Sequence, residues 1–296
     1  MEIIFVSIII PTYKDWHRLS LCLDALKAQS FPQNQFEIIV ANNDHDDPIP
    51  DGFERPVNCK IITEAKPGSY SARNAALKLA KGEIVGFTDS DCIPDRDWIT
   101  NVVDYFKVNK SVSRVAGNVS IFFKATTPTR AELYDKLYAF NQKEYVNTSG
   151  TGVTANLFTY KFLFDKVGYF RDDLMSGGDF SWGVIAQEHG YSIHYVENVI
   201  VHHPGRQTLE ELIKKEKRVG GAQAFFLNQK GGKAANFFYF LRELLPRPAT
   251  IKFVYRNGTG LSFFDKLYLY AFRQYLLSVR AFERFRVQNG KKANRS

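Results

Sequence analysis

The first half of the chain alternates short apolar runs with stretches in which apolar residues recur every three or four positions. The runs VSIIIP and FEIIVA are almost unbroken in branched and aromatic residues, as strands buried on both faces of a parallel sheet are. Strands are predicted at Ile3–Ile10, Phe36–Ala41, Lys60–Thr63 and Glu83–Thr88. Helical spacing fills the gaps at His17–Gln29, Ser69–Ala80 and Asp95–Lys107. This alternation predicts an α/β fold, a Rossmann-like, mostly parallel central sheet flanked by helices.

Further along, the pattern predicts a longer strand at Val112–Phe123 and a helix at Ala131–Tyr145. The stretch NTSGTGVTAN, with Gly150 and Gly152, reads as a flexible loop. A helix at Phe180–His189 and a strand at Asn198–Val201 follow. A helix over Arg206–Lys230 opens on Thr208-x-x-Glu211, a capping box. Leu261–Val287 reads as one long helix with Lys266, Arg273, Arg280 and Arg284 on one stripe. Phe264, Tyr268, Ala271, Tyr275, Val279 and Phe282 lie opposite. Such a helix either lies on anionic lipid with its aromatics at the acyl boundary, or packs on the catalytic domain with its basic edge in water.

Charge divides the chain where these helices begin. Of the basic and acidic residues, 20 and 25 fall before Arg206, against 19 and 6 after it. The positive excess therefore belongs to the last third and favours a membrane surface there. No recognition motif supports nucleic acid as its partner. We expect domains at 1–205 (halves of about 1–110 and 111–205) and 206–296. Cys22, Cys59 and Cys92 are odd in number and lack metal-type spacing, which fits reduced thiols in the cytoplasm. The start MEIIFVSIIIP has no basic residue ahead of its apolar run, so it is not expected to be a signal peptide, and no stretch is long and apolar enough to span a bilayer.

In parallel sheets of this kind, ligands bind where the strands end. Pro11-Thr12-Tyr13, Asn42-Asn43-Asp44 and Asp89-Ser90-Asp91 leave three of the expected strands. An Asp-x-Asp pair there is a turn, a hard-cation site or half of an acid–base pair. The cation reading gains if the site holds a diphosphate, because Mg²⁺ completes its shell with phosphate oxygens and water. Neither GxxxxGK[ST] nor GxGxxG is present, which lowers the ATPase and dehydrogenase readings.

VSIIIPTYKD, GSYSARNAALKLAKGEIVGFTDSDCIPDRDW and LMSGGDFSWGVIAQEHGYSI together resemble three signature blocks of bacterial family 2 glycosyltransferases, which are inverting enzymes of the GT-A fold. The resemblance runs from about Val6 to Gly205. It implies a nucleotide-sugar donor, UDP-linked, and a glycan or lipid-linked acceptor in surface polysaccharide synthesis at the inner face of the cell membrane. Pro11, Thr12, Tyr13 and Arg73 would line the donor pocket, and Asp89 would meet the ribose or sugar. Asp91 would hold Mg²⁺ or Mn²⁺, with His203, rather than His202, completing the shell. Arg206 would pair with phosphate, and Asp179 would be the general base. Two positions depart from the family pattern: Asn42 stands for an acidic base-recognising residue, and Gly178 for the Glu before Asp179. For Asp179 the plain alternative is a helix cap. Asp172, Asp173 and the loop around His45 read as solvated. The rival functions are a nucleotidyltransferase on the same sheet and a non-catalytic, membrane-peripheral binding protein.

Overall fold

Every side chain of Val6–Thr12 (β1) is buried, which places this strand inside the sheet and explains why its sequence is apolar apart from Ser7 and Thr12. A computed structural model describes residues 4–227 and 233–293 of the chain. Trp16–Lys27 (α1), Phe36–Asn42 (β2), Cys59–Thr63 (β3), Ser69–Leu79 (α2) and Ile84–Thr88 (β4) follow the predicted alternation, with ends moved by a few residues. Ile93–Pro94 (β5) and Trp98–Val108 (α3) come next, then Arg114–Phe122 (β6). Arg130–Tyr138 (α4), Gln142–Ser149 (α5), Asn156–Tyr160 (β7), Leu163–Val167 (α6), Gly178–Glu188 (α7) and Ile193–Pro204 (β8) complete the middle of the chain.

The eight-stranded sheet runs β3-β2-β1-β4-β7-β6-β8-β5. β1 is parallel to β2 and β4, and β2 to β3, so these strands end on one side. Thr12 stands opposite Asn42 in that register. β7 is antiparallel to both β4 and β6. It runs through the tail of the expected loop, whose Asn156 is the first strand residue opposite Thr88. The glycines hid the strand from a periodicity reading, because its turn chemistry lies directly before it.

Side chains alternate across β1, and the core follows that alternation. Val6, Ile8 and Ile10 pack with Leu19, Leu23 and Leu26 of α1 and with Trp98 and Val102 of α3. Ile9 faces the other way, with Ala72 and Ala76 of α2 and Trp182 and Ala186 of α7. The result is a helix–sheet–helix sandwich.

The chain forms two compact units, Met1–Ile121 with Phe140–Leu174 and Gly178–Pro204, and Phe122–Ala139 with Met175–Gly177 and Gly205–Ser296. The expected helix at Ala131–Tyr145 breaks where the chain passes from one unit to the other. Ala139 is extended, Phe140 takes a positive φ of 52°, and the Asn141 side chain caps α5. A local cap outcompetes helix continuation there.

The second unit also contains Leu209–Leu227 (α8), Lys233–Leu244 (α9), Pro248–Asn257 (α10) and Phe263–Gln288 (α11). Thr208 and Glu211 form the expected capping box of α8, at 3.2 and 3.0 Å. The last residues of the expected helix, 228–230, lie outside the described residues. The basic stripe of α11 is turned toward neighbouring helices of its own unit. Arg284 and Glu283 are buried, and Arg280 pairs with the buried Glu216 at 2.5 Å. Arg273 donates to the Tyr134 hydroxyl at 2.6 Å. These arginines face inward, whereas Phe264, Ala271, Tyr275 and Phe282 of the aromatic stripe face out and Tyr268 packs against Phe272.

Candidate active site

Asp89 and Asp91 leave β4 in a turn closed by the Cys92 amide donating to the Asp89 carbonyl at 3.1 Å. The backbone is therefore the turn that Asp favours, and the two carboxylates are left for other work. Arg73, buried on α2, pairs with Asp89. Asp91 lies 3.5 Å from Arg18 Nη1 and 3.5 Å from His203 Nε2.

His203 is buried at the end of β8 against the ring of Phe140, and its Nδ1 bonds to the Pro204 carbonyl oxygen at 2.7 Å. A carbonyl only accepts, so Nδ1 carries the proton. In the neutral ring, Nε2 then presents a lone pair to the Asp91 carboxylate. The same Asp91 oxygen is approached at 3.5 Å by His203 Nε2 and by the Arg18 guanidinium, so one carboxylate gathers an imidazole nitrogen and a cationic side chain. An imidazole held by its other nitrogen is the usual setting of a metal ligand. A carboxylate and an imidazole together are a donor set that could hold a divalent cation. Asp89, Asp91 and Cys92 also bring ligand atoms within 4.8 Å of one another. Burial raises the Cys92 pKa well above its ordinary value, with Asp91 and Asp89 adding to the effect, so this thiol stays protonated and ligates poorly.

Asp179 lies in the first turn of α7, buried, and is not its N-cap. Its carboxylate accepts from the Tyr70 hydroxyl at 2.8 Å, the Thr154 amide at 3.1 Å and the Phe180 amide at 2.9 Å. Burial, and then the Asp179 charge, raise the Tyr70 pKa, so the hydroxyl keeps its proton and remains the donor. A Cβ on Gly178 would lie 2.8 Å from the Tyr70 ring, so only glycine leaves room for that ring.

At the end of β2 the loop is tied by amides. Asn42 donates to the carbonyls of Asp44 and Asp47, both at 2.8 Å, and accepts from the Asp44 amide at 3.2 Å. Both hydrogens of the Asn42 amide are thus committed inside its own loop. Asn43 donates to the carbonyls of Glu64 and Lys66 and accepts from the Gly68 amide at 2.6 Å. That last bond aims the entry of α2, where Gly68 takes a φ of 124°. Pro11 and Thr12 are buried at the end of β1, and the Thr12 hydroxyl has no hydrogen-bond partner among the described residues. Tyr13 is exposed.

The first unit thus brings together Arg73 with Asp89, and Asp91 with His203. Arg206 belongs to the second unit, where its Nη1 and amide are engaged by the buried Asp135. Arg18, Tyr70 and Thr154 were not singled out by sequence reasoning, and Asn43 was named only as part of the second strand end. Tyr70 had one usable signal, since it lies three residues before Arg73 on the same helix.

A strand-end carboxylate pair in a three-layer α/β unit fits a glycosyltransferase, and the comparisons identify the family. Residues 7–168 match the family model Glycosyl transferase family 2. Glycosyltransferase AglE of Haloferax volcanii is 35% identical over 224 residues, covering 74% of this chain and 73% of that protein. A dolichyl N-acetyl-α-D-glucosaminyl phosphate 3-β-D-2,3-diacetamido-2,3-dideoxy-β-D-glucuronosyltransferase of Methanococcus voltae is 23% identical over 246 residues, covering 76% and 74%. Among solved structures, the mannosyltransferase PcManGT of Pyrobaculum calidifontis, in complex with GDP-Man and Mn²⁺, superposes with a TM-score of 0.61 at 18% identity over 98% of this chain and 89% of that one. TarS 1–349 of S. aureus with UDP-GlcNAc gives 0.54 at 17% identity over 97% and 92%. The chain belongs to glycosyltransferase family 2 and is an enzyme of that family with a GT-A-like α/β fold. These relatives are archaeal as well as bacterial.

Proposed function

We propose that the enzyme transfers a sugar, with inversion, from a UDP-linked donor to a glycan or lipid-linked acceptor at the cytoplasmic side of a membrane. The observation that carries the metal-assisted form of this reading is the facing of Asp91 and His203. Those two residues would hold Mn²⁺ or Mg²⁺, which when bound neutralises charge on the leaving diphosphate. Pro11, Thr12 and Tyr13 would contact the nucleotide, and the unpartnered Thr12 hydroxyl suits that use. Arg73 holds Asp89 in place for a ribose or sugar hydroxyl. Asn42 would act on the donor by shaping the loop beside β2, since its own amide hydrogens are committed.

Asp179 would take the proton from the acceptor hydroxyl as that oxygen attacks the anomeric carbon and the bond to diphosphate breaks. Tyr70 and Thr154 fix the carboxylate for this role. The dolichyl phosphate in the name of the Methanococcus voltae relative supports a lipid-linked acceptor. The three unpaired, buried cysteines suit a reducing compartment.

The test is thermal stabilisation against a panel of UDP- and GDP-sugars with and without Mn²⁺, followed by turnover of the best donor. Asp179→Asn should keep donor binding and lose turnover. A fully active Asp179→Asn enzyme would remove the base assignment.

A further inference from the structure

α11 is apolar on two faces: Leu269, Phe272, Leu276, Leu277 and Ala281 are buried on its inner side, and a second apolar stripe is turned to solvent. Its solvent face carries Phe264, Leu267, Ala271, Tyr275 and Phe282, spaced as one helical stripe. Phe264 is 78% exposed and Phe282 61%. The opposite face buries charge: Arg280 on Glu216, and Arg284 beside Glu243. Burial by itself would lower the Arg280 pKa, but the Glu216 charge outweighs it and raises it, so the pair stays ionised in the interior. A helix that buries ion pairs among its inner apolar residues and still leaves an apolar stripe outward is matched to an apolar environment on its outer side.

The neighbouring helices extend the same surface. α9 stacks on α11 through Phe240 and Phe285, 4.8 Å apart, and Gln274 caps the carbonyls of Leu244 and Leu245 at its end. Phe238 and Leu245 of that region are more than 60% exposed. α10 meets α11 where Lys266 lies over the Tyr255 ring at 5.2 Å.

The charges around this surface select its partner. Among the described residues from 235 to 293, the exposed charged side chains are Arg242, Arg247, Lys252, Arg256, Lys291 and Lys292, all basic. Two of the three acids of the segment are drawn in, Glu283 being buried and Glu243 sitting with Arg247 and Arg284; Asp265 is partly exposed and accepts from the Ser262 hydroxyl. A second copy would bring like charges together. An anionic bilayer satisfies both features, taking aromatics at the acyl boundary and lysines and arginines among the headgroups. No helix among the described residues is long and apolar enough to cross a membrane, so the contact is one of surface attachment.

We propose that the outer stripe of α11, with the exposed apolar residues of α9 and α10, docks on an anionic membrane surface. This deepens the membrane part of the proposed function and is independent of its chemistry, since vesicle binding is read without turnover. The experiment is co-sedimentation of the full chain with vesicles of phosphatidylglycerol and phosphatidylcholine, 1:1, and of phosphatidylcholine alone. We expect partitioning at least ten-fold stronger to the anionic vesicles. Phe264→Ser/Leu267→Ser/Phe282→Ser should lower it at least ten-fold, with the unfolding midpoint and nucleotide-sugar binding unchanged. Arg242→Gln/Arg247→Gln/Lys252→Gln/Arg256→Gln should remove the preference for anionic lipid. A triple serine variant that binds as the wild type does would overturn the proposal. So would a wild type that stays off vesicles, whether it runs as a monomer or as a dimer through this face.

Discussion

Tyr70 and Asp179, 109 residues apart in the chain, share a 2.8 Å hydrogen bond in the interior. Three residues on from Tyr70, Arg73 grips Asp89, and its guanidinium lies 5.6 Å from the Tyr70 ring centre. One helix therefore holds the donor-side carboxylate and the candidate base together. A shift of α2 would move both.

Tyr70→Phe removes only the hydroxyl. Asp179 keeps the Thr154 and Phe180 amides, so we expect a stability loss of about 1 kcal/mol. Turnover should fall roughly ten-fold, the effect of about 1.4 kcal/mol in the barrier, with donor KM unchanged. Steady-state kinetics beside urea unfolding separate the two effects. A change confined to donor KM would assign Tyr70 to the donor instead.

Gly178→Ala puts a methyl group 2.8 Å from two carbons of the Tyr70 ring, which is buried and has little room to yield. Overpacking of this kind costs about 1–3 kcal/mol. Tyr70→Leu in the same chain should recover part of the loss, and the non-additivity of the double variant measures the contact.

Asp91→Asn and His203→Gln should each abolish the part of the donor-induced thermal shift that requires Mn²⁺. With ligand at 100 times its dissociation constant, stabilisation of about 2.7 kcal/mol is at stake. Asp46→Asn, in the exposed acidic cluster around His45, should leave the shift intact. Loss of the Mn²⁺ increment in Asp46→Asn alone would move the metal to that loop.

Burial alone would raise the Asp135 carboxyl, but Lys215 and Arg206 outweigh it and hold its pKa below 3.8. A carboxyl depressed in the folded state binds fewer protons there than in the unfolded chain. The stability it confers is full above pH 3.8 and is lost as pH falls through the folded value. Asp135→Asn should flatten that acid limb in a pH series of unfolding midpoints. At neutral pH it should cost about 3 kcal/mol, because two cations lose their buried partner. An unchanged acid limb would assign the pH dependence to other carboxyls.

The parts of the molecule legible in the sequence are those coded by neighbours along the chain. Continuous apolar runs marked β1, β2 and β4 because a strand buried on both faces has no polar side to show. Carboxylates and amides at the strand ends marked the site, because a parallel sheet gathers those ends in one place. The Thr208–Glu211 cap was legible for the same reason, its partners being three residues apart. What only tertiary structure decided depends on partners far off in the chain. β7 sits antiparallel between β4 and β6, a pairing no local pattern encodes. The position of Asp179 is set by Tyr70 and Thr154, and Asn42 is spent on its own loop. The helical wheel of α11 displayed a basic and an aromatic stripe, but not which one faces in. Glu216 and the Tyr134 hydroxyl decided that, because acceptors fixed on other helices make burial of Arg280 and Arg273 tolerable.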